Sequence, residues 1–150
     1  MIKPHRIDAT YTHADIANMH THYGFDTKID ALTPAQKFEL LKFRVDFLTE
    51  ELDDIKANST ATNFVADEVV DGLIDLIVVA VGTLDIFEVD MRTAWDRVHQ
   101  CNMSKEVGVK PTRPNPLGLP DLIKPSGWAA PTHQDNLGTL EDVENYVKML

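Results

Sequence analysis

The sequence has few of the features that would place it in the secreted or membrane-bound classes. It contains one cysteine, Cys101, so an intrachain disulfide is excluded and a reducing cytoplasm is favoured. Its longest apolar run, Leu73–Leu84, is interrupted by Asp75 and is too short to span a bilayer. The first ten residues are polar and lack the apolar segment of a signal peptide. We therefore expect a soluble cytoplasmic protein with no membrane partner.

Basic residues are also scarce. The chain has 14 Lys and Arg against 24 Asp and Glu, which gives a formal net charge of −10. General binding to a nucleic-acid backbone needs clustered Lys and Arg, so we expect no nucleic-acid partner. A small molecule that carries phosphates is not excluded, because a divalent cation can reverse the sign of the local field. With 150 residues, of which 43% are hydrophobic, the chain is large enough for one globular domain.

Apolar residues repeat at helical spacing along the first part of the chain. The pattern predicts four helices, over residues 11–23, 34–57, 64–87 and 90–105. The second has the clearest start, because Thr33 and Gln36 make a capping box around Pro34. A polar turn is expected before this helix, and a polar break with several possible N-caps is expected after it. Four helices with short connections predict a bundle.

The composition changes after the fourth helix. Pro111, Pro131 and the four prolines between them predict an irregular arm over residues 107–138. Thr139 and Asp142 then predict a capping box for a short terminal helix. We expect one all-α domain whose helical core covers residues 11–106, followed by the arm at 107–138 and the terminal helix at 139–150.

Two of the predicted helices carry carboxylates that share a face. These are Glu50, Glu51 and Asp54 on the second helix, and Glu68, Asp71 and Asp75 on the third. Residues three, four or seven positions apart lie on one side of a helix. If the two helices pack antiparallel, as the short connection suggests, all six carboxylates meet. Hard oxygen ligands of this kind suit Mg²⁺ or Mn²⁺.

Asp75 is the most informative of these carboxylates, because it lies inside the apolar run. A charge buried there without a partner would cost several kcal/mol. Its partner could be a divalent cation, or it could be one of three arginines, Arg44, Arg92 and Arg97. Taken alone, the acidic residues of the second helix, Glu50, Glu51, Asp53 and Asp54, favour a solvated helix face over a site. The residues alone leave the metal site and these structural interpretations open.

Four short segments together have a distinctive spacing. They are Arg44-x-x-x-Leu48-x-Glu50-Glu51-x-x-Asp54, Asp71-Gly72-x-x-Asp75-Leu76, Val98-His99-x-x-Asn102-Met103-Ser104-Lys105 and Lys124-Pro125-Ser126-Gly127-Trp128. This set resembles the MazG-like all-α NTP pyrophosphohydrolase superfamily. Within it, the chain is most similar to the branch related to phosphoribosyl-ATP pyrophosphohydrolase and the dimeric dUTPases. The similarity runs from about Met19 to Trp128.

The resemblance implies an all-α, four-helix-bundle-like fold and Mg²⁺- or Mn²⁺-dependent hydrolysis of a nucleoside triphosphate to the monophosphate and pyrophosphate. It implies a homodimer or homotetramer that acts in nucleotide house-cleaning or pool control. The implied metal ligands are Glu50, Glu51, Asp54 and Asp75. Of the first two, Glu51 is preferred over Glu50 as the residue that orients or deprotonates the attacking water.

The resemblance also implies substrate-binding residues in the second half of the chain. Asn102 and Lys105 would contact the phosphates or the sugar. In the arm, Lys124 could reach the phosphates as part of a lid. Trp128 could cover the base or pack on a neighbouring subunit. For Lys105, a structural role at the end of a helix is an equally good interpretation of the residues alone.

Position 72 departs from the pattern of the superfamily. Many relatives carry Glu-x-x-Asp ending at the position of Asp75, which would place a glutamate where this chain has Gly72. Either Asp71, which is adjacent, or Glu68, one turn earlier, would then supply the missing carboxylate. The alternatives to an NTP pyrophosphohydrolase are a phosphoribosyl-ATP pyrophosphohydrolase-like activity and a non-catalytic metal- or nucleotide-binding helical module.

Three further expectations concern packing. The third helix is apolar over a broad circumference, which predicts burial on all sides and hence an oligomer. Gly82 within it permits a close contact between helices or a bend, and a packing role rather than a catalytic one is expected. The histidines His20, His22 and His99 lack the spacing of a zinc site, and a structural hydrogen-bonding role is expected for His20.

Overall fold

The computed structural model describes residues 10–150, which are mostly helical. The helices are α1 (Thr10–His22), α2 (Phe25–Asp30), α3 (Pro34–Ala57), α4 (Ala66–Ile86), α5 (Met91–Met103) and α6 (Leu140–Lys148), and the strands are β1 (Glu106–Gly108) and β2 (Asp121–Ile123). The prediction of a mainly helical fold is confirmed. Within the described residues, no helix is both long enough and apolar enough to cross a membrane.

The start of α3 is as the sequence predicts. Thr33 is the N-cap, and its Oγ1 accepts a hydrogen bond of 3.2 Å from the backbone N–H of Gln36. The side chain of Gln36 accepts one of 2.9 Å from the backbone N–H of Thr33. These two bonds satisfy donors that have no partner within the first turn of a helix. The capping box and the position of Pro34 are therefore confirmed.

The segments on either side of α3 differ from the prediction. The expected polar turn before it contains a short helix, α2, which begins directly after Gly24. Gly24 adopts a left-handed conformation with φ of 67°, so it ends α1 and allows the chain to begin a new helix at once.

The polar break after α3 does not supply the N-cap of α4. That position is held by Val65, which makes no side-chain cap. The polar residues of the break instead satisfy the end of α3, where Asn63 Nδ2 donates to the carbonyl of Ala57 at 2.7 Å and Asn58 Nδ2 donates to that of Asp54 at 3.0 Å.

Two predictions for the C-terminal part were wrong. The proline-rich arm is not irregular throughout, because β1 and β2 pair antiparallel with Glu106 opposite Ile123. Thr139 does not form a capping box with Asp142: it makes no side-chain cap to α6, and its backbone N–H donates to the carbonyl of Phe87 at 2.8 Å. This long-range bond fixes the start of α6, which ends at Lys148.

The chain divides into two compact units, Met1–Met91 with Leu137–Leu150, and Arg92–Asn136. In the first unit, α4 packs against α1 and α3, and α3 also packs against α6. The second unit contains most of α5 and the β1–β2 pair. The expectation of a single domain stays a prediction.

The core of the first unit surrounds the C-terminal half of α4. Its buried apolar residues are Ile16, Val79, Val81, Ile86, Phe87, Val89 and Val143. The N-terminal half of α4 is different, because an apolar stripe on it is 47–62% exposed. The stripe consists of Val70, Leu73, Ile74 and Ile77. One chain therefore covers α4 at one end and leaves it uncovered at the other.

Arg44 connects α3 to the covered end of α4. Its Nη2 donates to the carbonyl of Val79 at 2.8 Å, and its Nε donates to Oγ1 of Thr83 at 3.0 Å. A Cβ added at Gly82 would lie 2.8 Å from Nη2 of this arginine. A side chain at position 82 would require the guanidinium to shift, so the packing role expected for Gly82 is confirmed.

Candidate functional site

The six predicted metal ligands lie on α3 and α4, two helices that pack against each other. Glu51 and Asp75 are partly buried, whereas the other four are exposed: Glu50, Asp54, Glu68 and Asp71. The three candidate ligands of α4, which are Glu68, Asp71 and Asp75, lie in the same half of the helix as the apolar stripe. The carboxylates therefore occupy the less densely packed end of the helix pair.

Gly72 determines how closely the two helices approach at this end. A Cβ added to it would lie 2.6 Å from Cγ1 of Ile55 and 3.8 Å from the carbonyl oxygen of Glu51. Gly72 thus faces the end of α3, whereas Gly82 faces Arg44, which lies earlier in α3. The helices are therefore antiparallel, as predicted. The glutamate that the superfamily pattern would place at position 72 has no space in this packing.

The carboxylates of the two helices influence one another electrostatically. The pKa of Glu51 is raised, first because burial removes water from its carboxylate, and then because four other carboxylates repel its negative charge. In order of decreasing effect, these are Asp75, Asp54, Glu50 and Asp71. Two of them belong to α4. Carboxylates of both helices thus act on Glu51, and Glu68 is not among them.

The same carboxylates do not lie at the distances of a closed metal site. Among residues 10–150, one group of three His, Cys, Asp or Glu side chains has its ligand atoms within 4.8 Å of one another. That group consists of His20, Asp26 and Asp85, and it includes none of the α3 and α4 carboxylates named above. The α3 and α4 carboxylates are coupled at longer range. Exposed Asp and Glu side chains repel one another and have freedom about their χ angles, so a cation could draw their oxygens together.

The arginines considered as partners of Asp75 have other partners. Arg44 donates to Thr83 and Val79, as described above. Arg92 pairs with Asp96 at 3.1 Å, and Arg97 pairs with Asp135 at 2.6 Å. In the described part of the chain, the salt bridges join cations to carboxylates other than Asp75. Among residues 10–150, the partly buried carboxylate of Asp75 therefore acts on the carboxylate of Glu51 and has no salt bridge to a basic side chain.

The donor set fits a hard divalent cation. All six candidate ligands are carboxylates, which are the ligands that Mg²⁺ and Mn²⁺ prefer. Glu51 has neighbours that disfavour its charge, and a bound cation would remove that disadvantage. Asp71 contributes to the raised pKa of Glu51. It is adjacent to position 72, where the pattern of the superfamily would place a glutamate.

In the second unit, the four predicted substrate-binding residues form one cluster. Lys105 Nζ donates to Oδ1 of Asn102 at 2.9 Å and lies 5.2 Å from the centre of the Trp128 ring. Lys124 Nζ lies 4.9 Å from the centre of the same ring. We call Asn102, Lys105, Lys124 and Trp128 the lysine–tryptophan cluster. It holds two positive charges beside an aromatic face, an arrangement that suits an anionic ligand with a flat ring.

The β1–β2 pair explains why the two lysines meet. Lys105 directly precedes β1, Lys124 directly follows β2, and the register places Glu106 opposite Ile123. The indole of Trp128 is oriented by hydrogen bonds from its Nε1 to the carbonyl of Cys101 at 2.9 Å and to Ser104 Oγ at 3.0 Å. The sequence identified these residues but not the strand pair that joins them, because the arm was predicted to be irregular.

A second polar group was missed by the sequence analysis. His20 on α1 is 2% exposed, and its Nδ1 lies 2.6 Å from Oδ2 of Asp85 on α4. The expected hydrogen-bonding role of His20 is confirmed. His13, two turns earlier on α1, places its Nε2 at 3.3 Å from the other oxygen of Asp85. The seven-residue spacing of the two histidines was the available signal, since it puts both on one face of the helix.

Comparisons of the chain with protein-family models, with curated proteins and with solved structures found no match. Three groups of residues bear on function: the carboxylates of α3 and α4, the lysine–tryptophan cluster, and the histidine–aspartate group of α1, α2 and α4.

Proposed function

We propose that the protein is a MazG-like NTP pyrophosphohydrolase with the four-helix-bundle-like fold of that superfamily, which hydrolyses a nucleoside or deoxynucleoside triphosphate with Mg²⁺ or Mn²⁺. The observation that supports this most is the environment of Glu51. Its pKa is raised first by loss of water around the carboxylate and then by carboxylates from two helices, and this repulsion is costly unless a cation offsets it.

The proposal gives each acidic residue a role. Glu50, Glu51, Asp54 and Asp75 hold the divalent ions. Asp71 supplies the further carboxylate that position 72 lacks, because it is one of the groups that act on Glu51. Glu68, one turn earlier on the exposed face of α4, is the alternative ligand.

The reaction that we propose is attack of water on the α-phosphorus of the nucleotide. The bond between that phosphorus and the oxygen bridging to the β-phosphorus breaks, and pyrophosphate leaves with the bonding electrons. Divalent ions would supply charge neutralisation and polarise the phosphoryl oxygens. Glu51 would accept the proton of the attacking water, a role that a carboxylate beside that water can take.

We further propose that the lysine–tryptophan cluster binds the nucleotide. Lys105 and Lys124 would contact phosphate oxygens, Asn102 would contact the phosphates or the sugar, and Trp128 would stack on the base. The cation–π distances of 5.2 and 4.9 Å support this role, because they hold both ammonium groups close to one aromatic ring. Base–aromatic stacking is tolerant of the base, so it supports nucleotide binding without a base preference.

The active form is proposed to be a homodimer or homotetramer. The apolar stripe of α4 supports this proposal, because all of its residues are largely exposed. Their exposure ranges from 47% for Ile77 to 62% for Val70. A contiguous apolar surface on a helix is a common feature of protein interfaces. A second copy of the chain is the occupant that we propose, in agreement with the resemblance.

The test is pyrophosphate release from a panel of ribo- and deoxynucleoside triphosphates and phosphoribosyl-ATP in the presence of Mg²⁺. Turnover of at least one nucleotide is expected, and both Glu51→Gln and Asp75→Asn should lower kcat by about a hundredfold or more. Asp53→Asn is the matched control, because Asp53 is on α3 but pairs with Lys56 at 3.4 Å. It should leave the rate unchanged.

The outcomes separate the alternatives. Turnover of phosphoribosyl-ATP alone would favour the related pyrophosphohydrolase activity. Absence of turnover with every nucleotide, in a protein that is folded and binds Mg²⁺, would favour a non-catalytic binding module. Full activity in Glu51→Gln and Asp75→Asn would show that the reaction does not use the α3 and α4 carboxylates.

A further inference from the structure

Three elements of the first unit bring side chains together at a place away from the α3 carboxylates. His20 comes from α1, Asp26 from α2 and Asp85 from α4, and one ligand atom of each lies within 4.8 Å of the others. We call these three residues the histidine–aspartate site. None of them belongs to the predicted acidic group, and the reaction proposed above does not use them.

Asp85 is the centre of this arrangement. Its Oδ2 lies 2.6 Å from Nδ1 of His20, and its Oδ1 lies 3.3 Å from Nε2 of His13. An ionised carboxylate only accepts hydrogen bonds, so Nδ1 of His20 carries the proton that they share. The imidazole of His20 is almost completely buried, with 2% exposure, and its orientation is therefore fixed by packing.

A pocket of about 230 Å³ opens beside Asp26 and Asp85. Two more carboxylates line it, those of Asp30 and Glu88. The volume is sufficient for an ion with several water molecules, since a water takes up about 30 Å³ in the liquid. A hydrogen bond between His20 and Asp85 explains why those two residues meet. It does not explain why three further carboxylates surround the same pocket.

We propose that His20, Asp26 and Asp85 bind a divalent transition-metal ion of the Zn²⁺ type. The donor set is mixed, because it has one imidazole nitrogen and two carboxylates. Imidazole favours Zn²⁺ and its neighbours in the first transition row over Mg²⁺, which prefers oxygen ligands. The site therefore differs in metal preference from the carboxylates of α3 and α4.

Binding of such an ion by His20, Asp26 and Asp85 would require movement of side chains only. Zn²⁺ takes nitrogen and oxygen ligands at about 2.0–2.2 Å in a tetrahedral arrangement, so ligand atoms lie about 3.4 Å apart. The hydrogen bond of 2.6 Å between His20 and Asp85 would widen. The exposed side chain of Asp26, whose Oδ2 accepts a hydrogen bond of 2.7 Å from Oγ1 of Thr21, would exchange that bond for the ion. The ion takes the place of the proton on Nδ1 of His20, and the neutral imidazole carries that proton on Nε2 instead. Water fills the remaining position.

Such an ion would join α1 and α2 to the C-terminal half of α4. These elements surround the buried residues Ile16 and Ile86 of the first unit. A ligand that binds only the folded state raises stability in proportion to the logarithm of its concentration above Kd. The role that we assign to the metal is therefore structural, at the end of α4 opposite to Asp71 and Asp75.

The experiment uses the full chain carrying Glu51→Gln and Asp75→Asn, so that metal binding by the α3 and α4 carboxylates is weakened. Co²⁺ is titrated with visible absorption as the readout, and Zn²⁺ is titrated by calorimetry in buffers of different ionisation enthalpy. We expect one equivalent of either ion to bind, with no net release of a proton from the neutral imidazole of His20. Asp26→Asn should weaken binding by about tenfold or more.

Asp30→Asn is the matched control, because Asp30 lines the same pocket but is not one of the three ligands. It should change the affinity much less than Asp26→Asn. Equal effects of the two substitutions would mean that the pocket attracts cations only through its charge, and the proposal would be wrong. Absence of stoichiometric Co²⁺ and Zn²⁺ binding would overturn it as well.

A second readout avoids substitution of the buried histidine, which could prevent folding. In ¹⁵N-edited NMR spectra of the histidine side chains, Zn²⁺ should shift the Nδ1 signal of His20. The exposed His99 on α5 serves as the internal control and should not shift. A shift of His99 without one of His20 would place the ion elsewhere.

Discussion

Gly72 of α4 lies so close to Ile55 of α3 that an added Cβ would be 2.6 Å from Cγ1 of that side chain. Gly72→Ala should therefore force the helices apart. Overpacking of this kind typically costs about 1–3 kcal/mol, which exceeds the gain of about 1 kcal/mol from the higher helix propensity of alanine. The free energy of unfolding, measured by urea denaturation, should fall.

Ile55→Ala provides the control for this contact, because it removes Cγ1. In that background Gly72→Ala should be neutral or stabilising by up to about 1 kcal/mol, since only the helix propensity remains. The same loss of stability in both backgrounds would show that the contact with Ile55 is not responsible.

The raised pKa of Glu51 predicts a pH dependence of stability. The folded protein binds the Glu51 proton more tightly than the unfolded chain does, so it holds more protons between the two pKa values. Stability should then fall as pH rises from the ordinary Glu pKa of about 4.3 through the raised value. With metal removed by EDTA, Glu51→Gln should raise Tm, and the increase should be larger at about pH 7 than at about pH 4.

Two comparisons check this interpretation. Asp53→Asn should change Tm little, because Asp53 is exposed and pairs with Lys56. Addition of Mg²⁺ should raise the Tm of the wild type more than that of Glu51→Gln. A difference in Tm between wild type and Glu51→Gln that stays constant with pH would contradict the repulsion that we assign to Glu51.

The lysine–tryptophan cluster predicts a loss of nucleotide affinity when its charges are removed. Lys105→Ala and Lys124→Ala should each raise KM about tenfold or more, because a hydrogen bond to a charged group contributes about 1.5–3 kcal/mol. Lys28→Ala, an exposed substitution on α2, is the control. A KM that does not change in either cluster variant would remove these lysines from the substrate site.

Binding at Trp128 can be measured without turnover. A nucleotide that stacks on the indole should quench tryptophan fluorescence, and Trp128→Phe should abolish the quenching. Trp95→Phe should preserve it, since Trp95 is not part of the cluster. If quenching depends on Trp95 instead, the base does not stack on Trp128.

The apolar stripe of α4 predicts that self-association is sensitive to charge. Ile77→Asp should convert a wild-type dimer or tetramer into a monomer, because it buries a carboxylate in an apolar interface. The mass is measured by sedimentation at several concentrations. Leu117→Asp is the control, since Leu117 is 78% exposed but lies in the arm. A wild-type monomer at every concentration would mean that a second copy does not cover the stripe.

Features that depend on neighbouring residues were predicted well from the sequence. The capping box of Thr33 and Gln36 needs only three residues of separation, and helical periodicity located α3 and α4 to within about two residues. The antiparallel packing and the mutual influence of the acidic residues followed from the same periodicity. The steric reason for a glycine at position 72 could not be predicted from periodicity, because it depends on where the side chain of Ile55 lies.

Features that depend on distant residues were missed. The strands β1 and β2 have three residues each, and their pairing across a proline-rich segment leaves no periodic signal. The contact between His20 and Asp85 joins residues 65 positions apart. Thr139 has the sequence of a capping residue, yet its backbone bonds to Phe87 instead. In each case the long-range partner determined the local structure.

The hydrogen bond from Thr139 to the carbonyl of Phe87 also affects how the chain can vary in length. Together with the tight contact of Gly138 against that carbonyl, it joins the two sequence-distant parts of the first unit. The segment Arg92–Asn136 is therefore an insertion between two neighbouring points of a host fold. Lengthening a flexible insertion costs only about 0.6 kcal/mol for each doubling. Evolution or design can thus exchange the segment that we propose to bind nucleotide while keeping the helices that we propose to bind metal.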